Sequence, residues 1–487
     1  MSTSAIGEAF HKVCRDQPGA TAIRSLPDGR TITFADLLDD CSAIQRALNG
    51  LGTSRGACVV SFVGNRAVFF PLIVACMDLG AALLPLGEAT DAEAATLVRQ
   101  ARPFAVITDR QLPLQPIRES RVLGDIRVLS VPGATRPSEY GESVVLKLTS
   151  GSTDLPKAAI ASEMQLLNDG RHIIEAMGIG PGDINLAYIP LSHSYAIGNV
   201  IMPLFLQGTS VALRPSFNPS QFASDLSISA ATVLPGVPFM FEHMKVHAQM
   251  DHVRSSLRLL ITAGARIDAS TVSWFRRQLD RKVHSFYGSS ETGGISYDDS
   301  EGVTDPLHVG RPMPETSVTV RPPDGEAAAG RIFVRGNAVA SRYAGAGAKH
   351  SVSAFCDGGF LTGDLGYFDD EGRLVLAGRA SALVNVAGRK VDPAEVERTL
   401  LDFPGITDAR VLGMSCDRRG QQVVAFVVRG DSALTPLAIR RLCASRLSAH
   451  KIPRRFVFLD CLPVDARGKI DRRALEALAS SADDDLS

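Results

Sequence analysis

The sequence predicts an α/β protein: a large N-terminal domain of α/β layers with a small β subdomain, then a small α+β C-terminal domain. Three observations predict it. Short apolar strands alternate with segments of helical periodicity through the first three hundred or so residues. Past Gly310 the pattern becomes strand alternation punctuated by tight turns. A shorter mixed unit follows Arg379. Strands alternating with helices of about 10–15 residues favour parallel layers.

In chain order, residues 31–34 read as a strand. Residues 35–51 read as a helix, with Leu37, Leu38, Cys41, Ile44 and Leu48 at helical spacing. Residues 57–63 form an apolar strand, Phe69–Asp78 an apolar helix, 92–100 a polar helix and 105–108 another strand. Strands recur at 210–213, 231–234, 259–262 and 283–287. Residues 317–335 alternate through Val318, Val320, Ile332 and Val334 around the turn Pro322-Pro323-Asp324-Gly325. Residues 360–375 do the same around Asp369-Asp370-Glu371-Gly372. The last unit reads as a helix at 393–401, strands at 408–414 and 422–428, and a helix at 437–448. The predicted domains are residues 1–379 and 380–487.

The chain of 487 residues balances 51 Lys+Arg against 52 Asp+Glu, a net charge of −1. That argues against a main role in gripping nucleic acid or an anionic membrane. No apolar run reaches the roughly 18 residues of a membrane span. Residues 1–9 show no basic-then-apolar leader, so a cytoplasmic protein is expected. The eight cysteines (Cys14, Cys41, Cys58, Cys76, Cys356, Cys416, Cys443, Cys461) contain no C-x-x-C pair. Reduced thiols, without disulfides or structural zinc, are expected.

The richest segment is Thr149-Ser150-Gly151-Ser152-Thr153-Asp154-Leu155-Pro156-Lys157, directly after a strand at 144–148. Hydroxyls, a glycine and one ammonium can wrap phosphates. Residues alone leave two readings open, a phosphate loop or a solvated Ser/Thr turn, and the Walker A spacing is absent. His243 and His247 stand four apart on a predicted helix, as metal ligands would, with His252 nearby. Without a Glu after His243 they read as a solvated helix face. Tyr343-Ala344-Gly345-Ala346-Gly347-Ala348-Lys349 reads as a flexible surface loop.

The 149–157 segment resembles the phosphate loop of the adenylate-forming enzymes: acyl-CoA synthetases, non-ribosomal peptide adenylation domains and luciferases. Further motifs of that superfamily follow in order. Tyr287-Gly288-Ser289-Ser290-Glu291-Thr292 resembles its Y-G-x-[TS]-E motif and Thr362-Gly363-Asp364 its T-G-D motif. Gly378-Arg379, residues 386–391 and residues 393–397 resemble its hinge region. Leu462-Pro463 with Gly468-Lys469-Ile470 and Arg472 resembles its C-terminal motif. The similarity runs from Thr149 to Arg472, with weaker likeness upstream.

The resemblance implies an ATP- and Mg²⁺-dependent ligase working in two steps. A carboxylate attacks the α-phosphate to give acyl-AMP and pyrophosphate. A thiol, of CoA or of an acyl carrier protein's phosphopantetheine, then takes the acyl group. Thr149, Ser150, Gly151, Ser152, Thr153 and Lys157 would bind phosphates, and Glu291 would hold Mg²⁺, a hard cation that favours carboxylate oxygens. Tyr287, Gly288 and Ser290, with Gly264 and Ala265 opposite, would enclose the adenine. Asp364 would accept from the ribose hydroxyls and Arg379 would sit nearby. Lys469, on a mobile C-terminal lid, would neutralise charge as the acyl–phosphate bond forms. His193 would gate the carboxylate site, or else be a structural histidine, and Ser194, Tyr195, Gly198 and Asn199 would wall the substrate pocket. Ser194 stands where amino-acid-activating relatives carry Asp, which favours an aryl or fatty acid over an α-amino acid.

The chain departs from the superfamily pattern at Asp154 and Ala158, both usually Gly, and at Ser381 and Asn385 near the hinge. A carboxylate beside a triphosphate is unfavourable, so a weaker phosphate grip is expected. Two alternatives stand beside the ligase: use of the adenylate for ring closure or amide formation, and a non-catalytic nucleotide- or acyl-binding relative.

Overall fold

The computed structural model describes residues 4–26, 28–87, 89, 91–132, 140, 144–148, 158–248, 255–302, 305, 307–321, 329–344, 354–379, 384–386, 389–391, 393–416, 420–430, 434–447, 451–464 and 470–481. The chain divides into two compact units. The first comprises Met1–Thr319, Phe333–Leu361 and Asp370–Leu374; the second comprises Val320–Ile332, Thr362–Asp369 and Val375–Ser487.

The first unit contains two sheets. In one, the strands run in the order His308–Pro312, Gly293–Tyr297, Val283–Ser289, Leu259–Ala263, Val233–Gly236, Ile184–Ala187, Ser210–Leu213, Thr21–Ser25, Thr31–Thr33. Its centre is parallel, from Ser210–Leu213 through Val283–Ser289. The other sheet is eight-stranded and carries Val145–Leu148 next to Ala158–Ala161, which in turn pairs with Arg342–Ala344. The central strands Cys58–Ser61, Ala82–Pro85 and Leu259–Ala263 are buried at every position. This is the pattern of sheets covered on both faces, and it explains their unbroken apolar runs.

Local signals set the helices around these sheets. Glu163–Met177 starts at a capping box: the Ser162 hydroxyl accepts from Gln165 N–H while Gln165 Oε1 accepts from Ser162 N–H. It stops at Gly178 in the left-handed conformation. The Ala5–Asp16 helix is held by Phe10, whose ring meets Phe205 edge-on at 5.2 Å, and Phe205 meets Phe70 in the same manner. Each such pair adds about 0.5–1.5 kcal/mol beyond its buried area.

The second unit holds a five-stranded sheet. Gly420–Arg429 pairs antiparallel with Ile406–Cys416 and parallel with Arg455–Leu459. Helices Pro393–Leu401, Pro436–Arg446 and Arg472–Ser481 accompany it. This is the α+β content expected of the C-terminal part. No described helix is long and apolar enough to cross a membrane.

An ion pair with a buried carboxylate ties elements together inside the first unit. Asp183 accepts from Arg258 Nε at 2.8 Å, Thr232 Oγ1 at 2.7 Å and Gly180 N–H at 2.7 Å. Burial alone would raise its pKa. The Arg258 guanidinium, Gly180 N–H and Thr232 hydroxyl outweigh burial and hold it at about 2, below the ordinary 3.8. A depressed folded-state value stabilises the fold above the unfolded-state pKa and loses that contribution as pH falls through the folded one. The difference in urea midpoint between wild type and Asp183→Asn is therefore expected to be full above about pH 5 and to shrink as pH falls toward 2. A constant difference down to that pH would show that the charge contributes nothing.

Candidate active site

The Val283–Ser289 strand and the Gly293–Tyr297 strand form an antiparallel pair joined by a tight turn. The turn carries the predicted Ser290 and Glu291. It is knitted by Ser289 Oγ, which accepts from Glu291 N–H at 3.3 Å and lies 3.0 Å from Thr292 Oγ1. Gly293 turns the chain at φ +68°. Tyr287 is buried on the incoming strand, paired with Ser296, and Gly288 pairs with Gly294.

Glu291 is half-buried and held from two directions. Its Oε1 accepts the Tyr343 hydroxyl at 2.7 Å, and its backbone oxygen accepts from Ala340 N–H at 2.7 Å. Its Oε2 has no hydrogen-bond partner among the described residues, so the residue fits the role of a Mg²⁺ ligand. Tyr343 is not part of a surface loop, contrary to the sequence expectation. It sits in the Arg342–Ala344 strand, paired with Ala159 just past the phosphate segment. Its ring packs edge-on against Phe355 at 5.1 Å. Burial, then the charge and hydrogen bond of Glu291, push its phenol well above the usual range, so it stays a donor. Residues 345–349 of that stretch lie outside the described residues.

The predicted pocket residues come from residues 190–202. His193 precedes the short Ser194–Ala196 helix, its N–H donating to Pro190 O and its carbonyl accepting from Ile197 N–H. Ser194 Oγ lies 3.3 Å from Ser290 Oγ, bringing together two predicted residues 96 positions apart. Tyr195 donates to the Ile261 carbonyl at 3.1 Å and stacks on Phe286 at 5.9 Å. Gly198 and Asn199 lie in a five-residue π-helix, Ile197–Ile201, a rare form that is frequent at functional sites. Both are buried. Asn199 Nδ2 donates to Tyr195 O at 3.3 Å, while its Oδ1 has no partner among the described residues. Gly264 and Ala265 are exposed at the end of the Leu259–Ala263 strand.

Seven predicted residues lie outside the described residues: Thr149, Ser150, Gly151, Ser152, Thr153, Lys157 and Lys469. Asp154, Ser381 and His252 do too. The flanks of these segments are described. Leu148 pairs with Ala158, so the 149–157 segment joins two neighbouring strands, and Val464 bridges Ile470 around 465–469.

In the second unit, Asp364 and Arg379 meet directly, with Arg379 Nε donating to Asp364 Oδ1 at 2.8 Å. Asp364 N–H donates to Thr362 Oγ1 at 3.1 Å, and the Thr362 carbonyl is held by Arg331. The guanidinium is exposed and the carboxylate is mostly buried.

Sequence reasoning missed Tyr343 and a buried pair, Lys147 and Asp169. It also missed His11, Cys41 and Asp78, whose ligand atoms cluster within 4.8 Å. In that cluster Asp78 Oδ2 already lies 3.2 Å from His11 Nε2 and accepts from Gln45. His243 does not present a metal-ready face either: its Nδ1 lies 2.9 Å from the Phe239 carbonyl and its ring packs on Phe239.

The Glu291 carboxylate is thus anchored by Tyr343, on the strand that pairs with Ala158–Ala161. The model of the AMP-binding enzyme family matches residues 10–344, and that of the AMP-binding enzyme C-terminal domain matches 395–469. The chain belongs to the AMP-binding enzyme family, the adenylate-forming superfamily, and is an AMP-forming ligase. It is 27% identical to the indoleacetate–CoA ligase of Aromatoleum aromaticum, over 95% of this chain and 96% of that protein. It is 27% identical to a feruloyl-CoA synthase of an Amycolatopsis species, over 96% and 98%. Its fold matches ATP-bound MatB of Rhodopseudomonas palustris with a TM-score of 0.81, at 23% identity and covering 98% and 99% of the two chains.

Proposed function

We propose that this protein joins a carboxylic acid, aryl or fatty rather than α-amino, to a thiol of CoA or of a carrier protein's phosphopantetheine. The acid's oxygen attacks the α-phosphorus of ATP and the bond to pyrophosphate breaks. The thiolate then attacks the acyl carbonyl and AMP leaves with the electron pair. Two relatives, at 27% identity, bear the names of ligases that join an aryl acid to CoA, which supports an aryl substrate. The observation that carries the reading is Glu291, a carboxylate held by Tyr343 on the strand that pairs with the exit of the phosphate segment.

In this reading Thr149, Ser150, Gly151, Ser152, Thr153 and Lys157 bind the β- and γ-phosphates. Glu291 holds Mg²⁺, which neutralises phosphate charge when bound. Catalysis of this kind is mostly positioning and electrostatics. Tyr287, Gly288, Ser290, Gly264 and Ala265 take the adenine; Asp364 and Arg379 take the ribose. Lys469, on a C-terminal lid of residues 380–487, bridges acid and α-phosphate. His193 gates the acid, which Ser194, Tyr195, Gly198 and Asn199 surround. A reducing compartment, the cytoplasm, suits the scattered thiols.

The test is a pyrophosphate-release screen over a panel of acids, each with and without CoA or a phosphopantetheinylated carrier protein. Pyrophosphate with one class of acid, and a thioester on adding thiol, is expected. Pyrophosphate without any thioester points to ring closure or amide formation. Silence across a broad panel would leave only a binding protein.

A further inference from the structure

The Val145–Leu148 strand carries a lysine where its neighbours are apolar. Lys147 is 1% exposed, two residues before Thr149. Its Nζ lies 3.3 Å from Oδ2 of Asp169, itself 4% exposed, on the Glu163–Met177 helix. The other oxygen, Asp169 Oδ1, accepts from Gly294 N–H at 2.9 Å. Gly294 lies three residues past Glu291, at the exit of its turn. The chain closes so tightly there that a Cβ on Gly293 would run into Asp169 Oδ1. The π-helix reaches the same group: a Cβ on Gly198 would stand 3.6 Å from Asp169 Oδ2 and 2.6 Å from Ile173 Cδ1.

One carboxylate therefore bonds the strand that leads to Thr149 and the strand that leaves the Glu291 turn, and it lies close to the π-helix that bears Gly198 and Asn199. A buried pair is a poor source of net stability, because apolar side chains of like volume often serve as well or better. What such a pair can supply is fixed direction. The ammonium holds the strand entering the phosphate segment, and the Gly294 N–H holds the strand leaving the Glu291 turn.

We infer that Lys147 and Asp169 are positioning residues, setting the phosphate segment and Glu291 at the separation that one magnesium-bound triphosphate requires. This rests on reading residues 149–157 and Glu291 as the ATP site. Neither residue touches substrate in this account. Each acts through the segment it holds, and the affected quantity is the part of ATP affinity that depends on Mg²⁺.

The full-length double variant Lys147→Met/Asp169→Asn tests it. It leaves no unpaired buried charge, and the amide oxygen that replaces the carboxylate can still accept from Gly294; the ionic link is lost, and the amide N–H group that faces position 147 keeps only the weak Met sulfur as partner. ATP binding by calorimetry is measured with Mg²⁺ and with EDTA, alongside thermal melting. The expected result is a melting temperature within about 3 °C of wild type and affinity about tenfold weaker with Mg²⁺ but little changed in EDTA, since small misplacements are costly. Wild-type affinity in both conditions would overturn the inference. So would a lowered melting temperature with equal losses in both conditions, which marks a merely structural pair. Wild-type protein that binds no ATP at all would instead sink the functional reading, and the inference with it.

Discussion

Replacing Glu291 with glutamine is expected to lower pyrophosphate release by about 10²–10³-fold, the usual scale for losing one preorganised electrostatic group at a reacting centre. The variant should fold. The Gln amide oxygen can still accept from Tyr343, and the Ala340 N–H bond to the residue 291 carbonyl is a backbone contact. What disappears is the charge proposed to hold Mg²⁺. Tyr343→Phe separates charge from placement: it keeps the carboxylate but removes its anchor, and about a tenfold loss is expected. Raising Mg²⁺ should recover much of the Tyr343→Phe loss and little of the Glu291→Gln loss. A Glu291→Gln enzyme that matches wild type at saturating Mg²⁺ would remove Glu291 from the metal site.

The largest expected effect on stability is at Asp225, which is fully buried on the Phe222–Ser229 helix. Its carboxylate takes both ends of the Arg214 guanidinium, with Nε at 2.6 Å, and accepts the Tyr188 hydroxyl at 2.9 Å. Burial, and then the charge of Asp225, push the Tyr188 phenol well up, so it remains a donor. Asp225→Leu strands Arg214 without its counter-ion and Tyr188 without an acceptor. A loss of about 3–5 kcal/mol is expected, a large share of the roughly 5–15 kcal/mol that holds a typical domain together. The double variant Arg214→Met/Asp225→Leu should recover most of it, because the cost lies in the orphaned charge. Urea unfolding of the two variants checks this. Equal losses in both would mean that packing, not charge, is at stake.

Much of the architecture was legible because burial leaves a period in the sequence. The strand expected at 105–108 is Ala105–Thr108, and the apolar helix is Phe69–Asp78. Leu37, Cys41, Ile44 and Leu48 are the buried face of the Phe34–Gly50 helix. In the site, the spacing from Tyr287 to Glu291 was legible because the turn needs those residues close in sequence. Tyr343 was misread because Gly and Ala follow it and hide a strand whose partner, Ala158–Ala161, lies far upstream. The link from Lys147 to Asp169 was invisible for a related reason. A lysine in an apolar strand shows that a counter-ion must exist, yet only the packed helix shows which acid supplies it. The helix expected at 437–448 runs from Pro436 to Arg446, where the Thr435 hydroxyl caps Ala438 N–H.

The π-helix at Ile197–Ile201 bears on how this protein can diversify. A π-turn holds one residue more than an α-turn. Deleting a single residue there is expected to restore ordinary helical bonding and to turn the short Ser194–Ala196 helix by about 100° relative to Met202–Gln207. Gly198 and Asn199 lie inside that turn. The wall proposed for the acid is thus open to remodelling by single-residue insertion and deletion, changes that point substitutions do not sample.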